Sequence, residues 1–149
     1  MAIEVRALSI PLNSINGKKL LIEGRKVLRE EFRKNENSTL LLRDYCRLVD
    51  ALLCQAWKEM ALPSSITLLA VGGYGRGHLF PNSDIDLLVL LPPKGKKQST
   101  IDNITKFKLE RWVHFLWDMG LEVGHSVRTL AECEEESEKD ITVQTSLLE

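Results

Sequence analysis

The chain has 149 residues, enough for one domain with a real core and too few for two comfortable ones. Its 44% hydrophobic and 28% charged residues lie near the averages of soluble globular proteins, which argues against both a disordered chain and a membrane-embedded one. Twenty basic residues against 21 acidic ones, a formal net charge of -1, exclude the strong basic excess usual for duplex nucleic-acid binding.

In chain order, GKKLLIEGRKVLREEFRK (17–34) places Leu21, Leu28 and Phe32 on one face among basic residues, which predicts a basic amphipathic helix. The polar NENS stretch breaks it, and Leu41, Tyr45, Leu48, Leu52, Gln55 and Trp57 fall within a second helical run ending near Met60. Pro63 closes that run, and ITLLAV (66–71) reads as a buried strand. A glycine-rich loop follows, then DIDLLVLL (84–91) as a second strand, stopped by the turn Pro92-Pro93-Lys94-Gly95. Ile101, Ile104, Lys108, Trp112, Phe115 and Met119 step at helical spacing, with Leu116 and Trp117 widening the stripe. LEVGHSVR (121–128) alternates Leu121, Val123, His125 and Val127 against Glu122, Gly124, Ser126 and Arg128, the period of a half-buried strand. Thr129 and Glu132 form a capping-box pair ahead of an acidic helix, and Asp140 caps a last helical run, ITVQTSLLE. No glycine, proline or polar tail closes that run, so the chain is expected to be the N-terminal piece of a longer protein. Residues 1–60 form its helical segment and 61–149 its core, within one compact unit.

Cys46, Cys54 and Cys133 are odd in number, lack a C-x-x-C pair and follow no secretory signal. Free thiols in the cytoplasm are the expectation. No apolar run approaches the roughly 18 residues that span a bilayer, so no membrane partner is expected.

The chemistry concentrates in VGGYGRGHLFPNSDIDLLVL (71–90), where Gly72, Gly73, Gly75 and Gly77 precede two aspartates. Gly72 and Gly77 have P-loop spacing, but His78-Leu79 stand where Lys and Ser or Thr are needed; Gly73, Gly75 and His78 likewise miss the dinucleotide fingerprint. What remains is a strand, Gly-Gly, a loop and Asp84-Ile85-Asp86. Strand alternation turns Asp84 and Asp86 to one face and Ile85 to the core. Two like charges there call for a cation, and hard oxygen ligands suit Mg²⁺, which keeps positions open for phosphates. Gly72 and Gly73 let backbone amides approach a triphosphate, with Arg76 or His78 supplying positive charge.

An apolar residue, Gly-Gly, about ten residues and Asp-apolar-Asp-apolar together resemble the signature of the DNA polymerase β-like nucleotidyltransferase superfamily. With LWDMGLEVGHSVRTLAEC (116–133), the chain more closely resembles the bifunctional uridylyltransferase/uridylyl-removing enzymes that modify the nitrogen-signalling protein PII. The resemblance runs from about residue 40 to the end. It implies an α+β nucleotidyltransferase fold, a small mixed sheet flanked by helices, preceded by an N-terminal helical segment. Asp84 and Asp86 carry over as metal ligands and catalytic carboxylates, and Gly72 and Gly73 as the phosphate loop. Arg76, Ser83 and Arg128 are further nucleotide-binding candidates. Glu122 is the candidate third carboxylate, favouring deprotonation of the attacking hydroxyl, with Asp118 in reserve. Trp112, Phe115 and Trp117 are expected in the core rather than as a base-stacking platform.

The implied reaction takes UTP and a tyrosine hydroxyl of PII to uridylyl-PII and pyrophosphate, with Mg²⁺ as cofactor. Adenylyl transfer to another protein and a non-catalytic nucleotide-binding module are the alternatives. The family's uridylyl-removing activity is not expected of these residues, since His78, His114 and His125 include no adjacent His-Asp pair, and regulation by glutamine is not expected either.

Overall fold

A computed structural model describes residues 11–93 and 101–148. Helix α1 (Ser14–Asn35) starts three residues before the predicted run because Asn13 and Asn16 cap its end reciprocally. Asn37 caps α2 (Ser38–Glu59), which buries Tyr45, Leu48, Val49, Leu52, Leu53 and Ala56. The two helices approach closely at Gly24, where an added Cβ would stand 2.5 Å from a Leu48 methyl carbon.

The sheet has three strands in the order β1 (Thr67–Ala70), β2 (Ile85–Leu91), β3 (Val123–Thr129). β1 pairs antiparallel with β2, and β2 parallel with β3, so the sheet is mixed, as expected. The parallel pair requires a crossover, supplied by α4 (Asn103–Met119), which starts at the Asp102 cap and ends at Gly120 with φ 89. Lys94 and Gly95 of the predicted turn lie outside the described residues. Thr129 ends β3 and caps α5 (Leu130–Lys139) through the predicted box with Glu132; α6 (Ile141–Leu148) follows. Between β1 and β2 the glycine loop folds into one helical turn, α3 (Gly72–Gly75), where the sequence suggests only a loop.

Leu21, Leu28, Tyr45 and Leu52 of the N-terminal helices share one buried cluster with Ile85, Leu87, Val89 and Trp112. The helical segment is thus part of the core that backs the sheet.

Two faces differ from the sequence reading. α4 buries Thr105, Leu109, Trp112, Val113, Leu116 and Met119, whereas Ile104 and Trp117 are exposed. A 3.6-residue period admits adjacent stripes, and packing against α1 and α2 selects the one holding Leu109 and Val113. Leu121, before β3, and Val123 at its start are buried, but His125 and Val127 are not, because they line a cavity with Val89, Leu109 and Trp112 that α4 leaves unfilled. Among the described residues no helix is long and apolar enough to cross a membrane.

Candidate functional site

The topology brings the end of β1 and the starts of β2 and β3 to one edge of the sheet. The Val71 amide donates to the Asp86 carbonyl at 3.1 Å, which sets the glycine turn opposite Asp86. On the other side, Asp86 pairs in register with Gly124, and the Ile85 amide donates to the Glu122 carbonyl at 2.8 Å.

Asp84 lies one residue before β2 rather than inside it, and Asp86 is its second residue. Both are exposed, while Ile85 between them is 1% exposed in the core. The predicted alternation therefore holds. Burial first, and the Asp84 charge second, push the Asp86 carboxyl above its ordinary value. Such a carboxylate is stabilised by a neighbouring cation, and a pair of carboxylate oxygens is a donor set that fits Mg²⁺.

Two glycines border Asp86. A Cβ on Gly72, whose φ is +62, would stand 3.3 Å from Asp86 Oδ2; one on Gly124 would stand 3.1 Å from Asp86 Oδ1. Glycine at both positions keeps the carboxylate open on both flanks. The amides of Gly72 and Gly73 begin the α3 turn and have no acceptor within it, so they suit an anion. The turn is tied down from behind: the buried Tyr74 hydroxyl donates to Asp50 Oδ1 on α2. Burial, then that same carboxylate, raises the Tyr74 phenol far above its usual range.

Of the other candidates, Arg76 and His78 are exposed beside the turn, with Arg76 Nη2 3.8 Å from the Cβ position of Gly73. The Ser83 hydroxyl closes the turn before Asp84, accepting from the Phe80 amide at 3.1 Å and donating to its carbonyl at 2.9 Å. Glu122 is exposed and lines, with Asp84, Gly124 and Trp117, an open cleft of about 650 Å³. Among the described residues no three acidic, histidine or cysteine side chains gather as a metal cluster. Asp118 is exposed on the last turn of α4. Arg128 stands four positions beyond Gly124, about 13 Å along the strand at ~3.3 Å per residue. It lies by the Cys133 thiol, which burial raises and the Arg128 charge pulls back.

Three participants escaped the sequence reading. Gly124 carries a signal, since a glycine inside a strand often marks close approach. The Tyr74–Asp50 pair spans 24 positions and has none. Helical spacing alone puts Trp117 in the core, but it is 48% exposed, with its indole N–H donating to the Val123 carbonyl at 3.3 Å.

The nucleotidyltransferase domain family model matches residues 53–146. The chain is 58% identical over 129 residues to the bifunctional uridylyltransferase/uridylyl-removing enzyme of Nitrosospira multiformis, covering 87% of this chain and 14% of that enzyme. Enzymes of the same name from Burkholderia vietnamiensis and Bordetella avium are 48% and 51% identical over 82% and 80% of the chain, which covers 14% and 13% of them. The chain thus spans about one seventh of the length of these curated relatives. No solved structure matches it. The matched stretch runs from the end of α2 through the glycine turn, both aspartates and the cleft into α6, and the chain belongs to the nucleotidyltransferase domain family.

Proposed function

We propose that this domain transfers UMP from UTP to a tyrosine hydroxyl of a PII-type regulatory protein, releasing pyrophosphate. The observation that carries the reading is Asp86 set between Gly72 and Gly124, with Asp84 exposed on the same side. This is a carboxylate pair open on two flanks, beside amides suited to a triphosphate. The names of the relatives supply the uridylyl group, and the resemblance of the GLEVGHSVRT block supplies PII.

Asp84 and Asp86 would hold Mg²⁺, which supplies charge neutralisation to the triphosphate and the departing pyrophosphate. Gly72 and Gly73 cradle the phosphates through their amides, and Tyr74, bonded to Asp50, ties the turn to α2. Arg76 adds positive charge on that flank. The phenolic oxygen forms its bond to the α-phosphorus as the bond from that phosphorus to the β-phosphate bridging oxygen breaks. Glu122, on the cleft side, accepts the phenolic proton. Positioning and electrostatics carry this chemistry.

Incubating the full-length protein with labelled UTP or ATP, Mg²⁺ and PII tests the reading. Label passes from UTP to PII, and Asp84→Asn or Asp86→Asn lowers transfer at least a hundredfold, the scale for loss of transition-state charge stabilisation. Transfer surviving both changes overturns the metal assignment. Transfer from ATP and not from UTP overturns the uridylyl reading.

A further inference from the structure

We infer that the cleft on the β3 flank is the acceptor subsite and that Trp117 is the aromatic wall against which an acceptor tyrosine ring packs. The inference rests on the nucleotidyl-transfer reading and goes beyond it by assigning the second substrate a place.

The argument begins at Asp86. Its Oδ2 faces Gly72 and the glycine turn, and its Oδ1 faces Gly124 and β3. A triphosphate held by the glycine turn leaves its pyrophosphate on the β1 flank. In phosphoryl transfer the attacking and leaving oxygens lie roughly in line across the reacting phosphorus. The attacking hydroxyl therefore arrives from the opposite flank, where Asp84, Glu122, Gly124 and Trp117 line the cleft.

That cleft presents an aromatic surface already fixed in place. The Trp117 N–H is bound to the Val123 carbonyl, and the indole meets the His114 and His125 rings edge-on at 5.3 and 6.4 Å between centroids. The side chain remains 48% exposed. A held ring has little freedom left to lose when another ring packs on it, so its contact area converts efficiently to affinity. Glu122 lines the same cleft, where a phenolic proton must leave. A tyrosyl side chain fits both features, its ring toward the indole and its hydroxyl toward the carboxylates.

The test uses the full-length protein with Mg²⁺, UTP and PII, and measures KM separately for UTP and for PII. Trp117→Ala and Trp117→Leu raise the PII KM about tenfold, while the UTP KM changes less than twofold. Trp117→Phe restores most of the loss, because it returns a ring where leucine returns only bulk. A PII variant with phenylalanine at the acceptor position competes with PII, and its inhibition constant rises in parallel in Trp117→Ala. A rise confined to the UTP KM overturns the inference, since the indole then stacks on the base. Unchanged kinetics in Trp117→Ala, or full rescue by leucine, also overturn it. Asp84→Asn run alongside separates the two failures: transfer that survives it refutes nucleotidyl transfer at this site. Transfer lost there with normal PII kinetics in Trp117→Ala refutes only the acceptor subsite.

Discussion

Replacing Asp86 with asparagine should make the metal-free protein more stable while removing its activity. Asp84 and Asp86 are two residues apart on an extended backbone, so their charges lie about 7 Å apart. At that distance two like charges repel by about 2.4 kcal/mol at an effective dielectric constant of ~20, and by about 0.6 kcal/mol in water. Both side chains are exposed, so solvent screening holds the relief well below the higher figure, at about 1 kcal/mol, or about 2–4 °C in Tm for a chain of this size. The pH dependence has a definite sign. Burial and Asp84 raise the carboxyl of folded Asp86 above 3.8, so the folded state holds its proton more tightly than the unfolded chain. The penalty on the wild type is absent below pH 3.8, grows as pH rises through the raised value and is complete above it. Asp86→Asn thus gains stability at pH 7 in EDTA, and the gain fades toward pH 3.8. Mg²⁺ at ten times its Kd adds about 1.4 kcal/mol to the wild type and little to the variant, which reverses their order. Thermal unfolding by circular dichroism at both pH values, with EDTA or Mg²⁺, reads all four conditions. A variant less stable than wild type in EDTA at pH 7, or equal stabilisation of both by Mg²⁺, would refute the reasoning.

Two further changes probe the glycine turn. Gly72→Ala places a side chain at φ +62 and 3.3 Å from Asp86 Oδ2; it costs about 1–2 kcal/mol in urea unfolding. It also abolishes the Mg²⁺-dependent rise in Tm on adding UTP, and a retained rise shows that the phosphates bind elsewhere. Tyr74→Phe removes the hydrogen bond to Asp50 and costs about 1–2 kcal/mol, the acceptor being a charged but solvent-accessible carboxylate. Asp50→Ala costs a similar amount, and the double variant costs no more than either alone, whereas additive losses would mean that the two side chains act independently.

Much of the site is legible in the sequence because its information is local. Alternation along an extended backbone settles that Asp84 and Asp86 face away from Ile85, whatever the strand pairs with. The Thr129–Glu132 box forms as read, since a cap depends on residues three apart. Periodicity was weaker on α4, where adjacent stripes satisfy the same spacing and only contact with α1 and α2 chose between them. It misplaced Trp117 for that reason. The glycine run announces close approach, yet the Tyr74–Asp50 bond that ties its helical turn to α2 is encoded by no local pattern.

The sequence by itself determined the order of the strands and long helices, the carboxylate pair and the place of the glycine loop, all properties of short stretches of chain. The tertiary structure alone decided what stands beside Asp86: Gly72 on one flank and, 38 positions beyond the aspartate, Gly124 on the other. It also decided that Trp117 and Glu122 share a cleft with Asp84. The physical reason is strand register. Parallel pairing of β2 with β3 becomes defined only when α4 packs across the sheet, and a slip of one residue would turn Gly124 and Glu122 to the other face.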